Sequence, residues 1–232
     1  MNKMDGNRIP LTNIQKIIAR RMLSSKQSKP CFYLKSKADV TDFVELRPML
    51  RKKLGAKVTT NAFYIHALAQ TVTQFPLMAG RMDGDNIKIS ENVNVGFAVS
   101  APQGLVVPVI KKAETKSIVE ISLEEKLLTD KSRSNDLKLD EITGESVALS
   151  NLGAYDLDDF IAIVPPDASC ILSVGKILRE IVPLDGNFVE RKFVTLWLAV
   201  DHRTIDSLYA ARFLQCVREM LEKPHAFALG RI

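Results

Sequence analysis

The residues best equipped for chemistry in this 232-residue sequence are its three histidines, His66, His202 and His225. His66 falls inside an apolar run at helical spacing and reads as a packed or half-exposed helix residue, while His225, after Pro224 near the C-terminus, reads as a surface residue. His202 differs. The β-rich run Phe193 to Val200 delivers it to a turn between Asp201 and Arg203, with Asp206 four residues on. An imidazole beside a carboxylate can be held in one tautomer and act as general base, which deprotonation of a thiol near neutral pH requires. Taken alone, Asp-His-Arg-x-x-Asp reads more readily as a solvated strand end. Ser150, before Asn151, offers a hydroxyl; its plainest reading is a serine closing a turn at the end of a strand.

The remaining chemistry-bearing residues narrow the choice. Cys31, Cys170 and Cys216 are far apart, odd in number and without metal-ligand spacing, so neither a disulfide framework nor a metal site is expected. The formal charge of +5 is spread over Lys and Arg interleaved with acids, without a basic stripe carrying aromatics. That argues against nucleic acid and suits an anionic small molecule. No apolar run approaches the ~18 residues of a membrane span, and residues 1–6 lack the apolar stretch of a secretory signal.

The elements that must position these residues follow from periodicity. Thr12 or Asn13 caps a first helix through Ile14, Ile17, Ile18, Arg21 and Met22. Cys31 to Val40 alternates as a strand, Thr41 or Asp42 caps a helix to Leu54 ended by Gly55, and Asn61 to Phe75 makes a third helix stopped by Pro76. Short β-rich runs follow at Ile87–Ser90, Val93–Val99 and Leu105–Ile110, then a helix at Ser117–Lys131. Strands resume at Ser146–Ser150, Ile161–Val164, Ser169–Val174 and Phe193–Val200, before a last helix from Leu208 to Leu221. Without a repeat, a low-complexity tract or a linker, residues 1–232 read as one α+β domain, a mixed β-sheet covered by helices.

Five blocks spread along the chain resemble one family. Asp201-His202-Arg203-Thr204-Ile205-Asp206 is similar to the D-H-R-x-x-D-G signature of the dihydrolipoamide acyltransferase component of 2-oxo-acid dehydrogenase complexes, which shares its fold with chloramphenicol acetyltransferase. In the same order as in that family, Ile17 to Met22 resembles R-x-x-I-A-x-R-M, Gly96 to Val99 with Gly104 to Val109 resembles G-x-A-V…G-L-V-V-P-V, Ser150 to Gly153 matches S-N-L-G, and Pro165-Pro166 with Ala168 to Gly175 resembles P-P-x-x-A-I-L-x-V-G.

The resemblance implies a chloramphenicol-acetyltransferase-like sandwich and direct acyl transfer, acetyl or branched-chain from S-N-L-G, between dihydrolipoamide and coenzyme A as substrates, without a metal. His202 would be the general base and Ser150 the donor to the tetrahedral oxyanion. Asp206 would orient the histidine loop through an ion pair, with Arg20 or Arg21 as candidate partner. Position matching nominates Arg47, Thr59, Ser100, Thr129, Ser150, Asn151, Gly175 and Ile177 for coenzyme A. Arg47 reads equally as a solvated helix-face charge.

It further implies a homotrimer with histidine and serine supplied by neighbouring chains, assembly into a cubic or icosahedral core, and a lipoyl group arriving on a separate domain or chain. Partners would be the lipoyl domain, the decarboxylase and the dihydrolipoamide dehydrogenase, in the cytoplasm or, in a eukaryote, the mitochondrial matrix. A lipoyl or peripheral-subunit-binding domain is not recognisable within residues 1–232. Ser207 and Asp156 stand where the family has glycine, and Cys31 where histidine is frequent. Two other readings stay open: a structural core whose chemistry has decayed, and an antibiotic O-acetyltransferase on the same fold.

Overall fold

The first helix, α1 (Asn13–Ser28), starts where Thr12 closes a reciprocal cap: its hydroxyl accepts from the Gln15 amide at 3.2 Å, and the Gln15 side chain accepts from the Thr12 amide at 2.9 Å. The structure, a computed structural model, describes residues 8–54 and 58–224. The expected Gly55 stop and His225 lie outside them. After β1 (Cys31–Asp39) come α2 (Thr41–Leu54) and α3 (Thr60–Gln74), the latter capped by the Thr59 hydroxyl on the Ala62 amide. Pro76 ends α3 as expected and opens a short 3₁₀ turn.

The middle of the chain is cut into short pieces: β2 (Gly80–Asp83), β3 (Asn86–Ile89), β4 (Val95–Phe97), β5 (Val99–Ala101), β6 (Gly104–Val106) and β7 (Val109–Ile110). The run Val93–Val99 therefore divides between two sheets, and Pro108, which has no amide proton to donate, separates β6 from β7. A second reciprocal cap, Ser117 with Glu120, begins α4 (Ile118–Ser134). The chain ends in β8 (Val147–Asn151), β9 (Cys170–Leu184), β10 (Asn187–Asp201) and α5 (Ser207–Glu222).

Six strands form one sheet in the order β1-β10-β9-β8-β4-β7. β4, β8 and β9 run parallel and the remaining pairs antiparallel, the mixed sheet expected. α2, α3 and α5 cover one face, where Phe43, Phe63, Tyr64, Leu68, Phe97 and Phe213 fill the main core. Phe43 meets Phe63 edge-on at 4.4 Å. The other face holds a smaller cluster, Ala148, Val164, Ala168, Ile171 and Ala199, beneath the connection from β8 to β9.

Two differences from expectation have clear causes. Ile161–Val164 is not a strand: it belongs to that connection, and two of its backbone groups pair with side chains, Ala162 N–H donating to Ser173 Oγ and Ser25 Oγ donating to the Val164 carbonyl at 2.6 Å. Ser169–Val174 and Phe193–Val200 are only the inner halves of 15-residue strands. Their outer halves form a two-stranded arm around Asp185-Gly186, both at positive φ, with Ile181 and Phe188 exposed. An arm with no buried face carries no apolar alternation to read. Among the described residues, no helix is long and apolar enough to cross a membrane.

Candidate active site

His202 is carried out of the sheet by the last residue of β10. Asp201 is only 3 % exposed, and its amide donates to the Ser169 carbonyl at 3.0 Å. Its carboxylate turns back on the next residues, accepting from the Arg203 amide at 3.1 Å and from the guanidinium through Nε at 2.9 Å and Nη2 at 2.7 Å. Thr204 and Ile205 donate their amides to the Asp201 carbonyl. The His202 amide donates to the Pro30 carbonyl at 3.2 Å, and its ring lies 4.8 Å from Phe32, exposed in the isolated chain. Burial pushes the Asp201 carboxyl up, but the side-chain and backbone hydrogen bonds of Arg203 prevail and hold it below its ordinary value. Lys29, whose ammonium donates to the Pro165 and Ala168 carbonyls, adds a second positive charge nearby, its own pKa lowered by burial and raised by Asp201.

Asp206 does not make the expected ion pair with α1. Its carboxylate accepts from the Tyr209 amide at 2.9 Å as the cap of α5, satisfying one of that helix's orphan donors. Arg21 turns elsewhere, to Asp167 at 3.0 Å and the buried Glu145 at 3.8 Å. Ser207 is the first residue of α5 and has ordinary helical φ, so the missing glycine carries no strain there. Asp156 does sit at φ +55°, the left-handed region where glycine is at ease, with Lys176 on its carboxylate at 2.8 Å. Burial raises the Cys31 thiol above its ordinary value.

Ser150 lies buried on β8, at the level of Ser173 on β9 and Trp197 on β10. Asp201 is two strands away and four positions further along, so at ~3.3 Å per residue and ~4.8 Å per strand the two backbones are roughly 16 Å apart. Within one chain, the Ser150 hydroxyl and the His202 turn therefore stand well apart.

Several nominated coenzyme A residues are joined by hydrogen bonds. Arg47 Nε donates to the Val58 carbonyl at 3.4 Å, and the Thr59 amide donates to Ser122 Oγ at 3.0 Å. Asn61 links Glu125, to which it donates at 3.3 Å, with Asn151, from which it accepts at 2.8 Å. The Asn151 carbonyl oxygen in turn accepts from Gly153 N–H, and Gly153 packs so closely on Gly175 that a Cβ would meet its carbonyl at 2.7 Å. Thr129, one turn past Glu125 on α4, has a buried hydroxyl with no hydrogen-bond partner among the described residues. Ile177 lies at the bulge where Gly175 and Lys176 face Thr195, and Ser100 lies exposed on β5; both stand outside this hydrogen-bonded chain. Asn61, Ser122 and Glu125 were not anticipated, although Ser122, Glu125 and Thr129 share one face of α4 by their spacing. Among the described residues no group of three or more metal-ligating side chains comes together.

The family model for the 2-oxoacid dehydrogenases acyltransferase catalytic domain matches residues 3–229. The dihydrolipoyllysine-residue acetyltransferase component of the pyruvate dehydrogenase complex of Rickettsia bellii is 35% identical over 219 residues, 93% of this chain and 52% of its own length. The chain thus spans about half the length of the curated relatives it matches. A crystal structure of Azotobacter vinelandii dihydrolipoamide acetyltransferase, studied for a serine, a histidine and an asparagine in its catalytic mechanism, superposes with a TM-score of 0.90 at 29% identity, covering 97% of this chain and 95% of that one. The cubic core of a pyruvate dehydrogenase multienzyme complex also gives 0.90, at 30% identity and the same coverage. Chloramphenicol acetyltransferase, 14% identical with a TM-score of 0.52 over 87% of this chain and 94% of its own, shares the fold.

Proposed function

Since the chain belongs to the 2-oxoacid dehydrogenase acyltransferase family, we propose that residues 1–232 form one catalytic domain that moves an acetyl group between a dihydrolipoyl thiol and coenzyme A. His202 removes the proton from the attacking thiol, and the thiolate so formed attacks the thioester carbonyl. Ser150 donates to the oxygen that becomes negative in the tetrahedral intermediate. When the intermediate collapses, the proton on His202 goes to the departing sulfur. Asp206 supports the loop as the cap of α5 rather than as a proton carrier.

Coenzyme A suits the residues nominated for it: Arg47 carries paired donors for a phosphate, and the Thr129 hydroxyl, without a partner among the described residues, and the Asn151 amide are groups of the kind a pantetheine chain hydrogen-bonds. The observation that carries the reading is the separation of Ser150 from the His202 turn. It fits a homotrimer in which each site joins the histidine of one chain to the serine of the next, as the family resemblance implies, built up into a cubic or icosahedral core. The acyl group arrives on a lipoyl domain, with a decarboxylase and a dihydrolipoamide dehydrogenase as partners, in the cytoplasm or the mitochondrial matrix.

The left-handed Asp156 beside the Ser150-Asn151-Leu152-Gly153 turn favours one other reading, a structural core with weakened chemistry. The experiment is acetyl transfer from acetyl-CoA to free dihydrolipoamide, with His202→Ala as control. Turnover abolished by that change supports the enzyme; no turnover in the unaltered protein supports the scaffold.

A further inference from the structure

We propose that the Asp201–Arg203 pair is the positioning device for His202, holding the imidazole at the angle the reaction needs from the residues on either side of it. This rests on the acyl-transfer reading above. The bonds around the histidine leave its main chain almost no freedom. The peptide before it is fixed by Asp201 N–H on the Ser169 carbonyl, its own amide by the Pro30 carbonyl, and the two residues after Arg203 by the Asp201 carbonyl. The carboxylate then closes the loop from inside, accepting from the Arg203 amide and from the Nε–Nη2 edge of its guanidinium.

The chemistry of the pair explains why it is built this way. A carboxylate 4 % exposed is costly unless its lone pairs are filled, and a forked guanidinium fills them in one plane and one orientation. The guanidinium is itself partly open, at 35 %, so it lies at the surface of the turn rather than in the core. Lysine could supply the charge but not the planar fork. Asp206 is placed differently, with its Oδ1 accepting from the Tyr209 amide at the start of α5. Neither Asp201 nor Arg203 is assigned contact with a substrate; both act through residue 202.

The test is steady-state kinetics of the assembled protein with acetyl-CoA and dihydrolipoamide, comparing Arg203→Gln, Arg203→Lys and His202→Ala, with urea midpoints and oligomer size measured on each. For Arg203→Gln we expect kcat to fall about 10- to 100-fold, the range a misplacement of about 1 Å produces, with both KM values and the oligomer unchanged. Arg203→Lys should recover only part of that loss. The loss in kcat should exceed any change attributable to unfolding, and Asp201→Asn combined with Arg203→Gln should cost less than the product of the two single losses. Full kcat in Arg203→Gln while His202→Ala is inactive overturns the positioning role and leaves the mechanism standing. So does a loss that appears only in KM or only as dissociation of the oligomer. Turnover in His202→Ala overturns both.

Discussion

Ser150 and Asp201 stand on strands of the same sheet, separated by β9 and displaced by four positions along the ladder. The hydroxyl and the histidine that follows Asp201 therefore belong to different regions of one chain, and under the proposed acyl transfer a complete site joins two chains. Ser150→Ala should accordingly lower kcat by about 10²–10³-fold, the usual loss of one oxyanion donor, with the KM for acetyl-CoA nearly unchanged. Stopped assays at saturating substrate measure this directly; an equal loss in KM with intact kcat would place Ser150 in binding instead.

The Gly175 backbone lies against the connection from β8, where a Cβ would sit 1.9 Å from the Asp158 carbonyl. Because that atom is backbone and cannot rotate away, Gly175→Ala should lower stability by about 1–3 kcal/mol and displace the loop that carries Asp156 and Asp158. Urea titration checks the first part. An unchanged midpoint would mean the connection yields freely.

Asp156 occupies the left-handed region, which an aspartate tolerates and a β-branched residue does not. Asp156→Val should cost about 1–2 kcal/mol relative to Asp156→Gly in urea unfolding. Equal midpoints for the two would show that the loop relaxes out of that conformation.

Burial raises the Glu145 carboxyl, Asp167 adds to the rise, and Arg21 and Lys111 oppose it. A carboxyl raised in the folded state favours folding most when protonated, and that contribution is lost as pH climbs through the folded value. Glu145→Gln should thus stabilise the protein at neutral pH, and its advantage should shrink as pH falls toward the ordinary carboxylate range. Paired urea midpoints at neutral and acid pH decide it; an advantage that grows on acidification contradicts the assignment.

Much of this could be read from residues alone where local chemistry decides the outcome. Thr12, Ser117 and Pro76 mark helix limits because caps and proline act over three or four residues, whereas Thr41, expected with Asp42 as a cap, is the first residue of α2 and its hydroxyl donates to Asp39. The mixed sheet followed from strands and helices without strict alternation, and the family fold from blocks spread along the whole length. What escaped depends on contacts distant in sequence. Ile161–Val164 is apolar and β-branched like a strand, yet finds its partners in Ser25 and Ser173. The outer arm of β9 and β10 has no core to pattern it. At the candidate site, the string Asp201 to Asp206 showed two carboxylates, and only the backbone path reveals that the first braces the histidine turn while the second caps a helix.

The most direct test mixes two inactive proteins. His202→Ala and Ser150→Ala chains, co-expressed with different tags and purified through both, give trimers holding each kind of chain. In such a mixed trimer one of its three boundaries pairs an intact histidine with an intact serine, so transfer from acetyl-CoA to dihydrolipoamide should return to about one third of the unaltered rate. Mixed trimers no more active than either parent would contradict a site shared between chains.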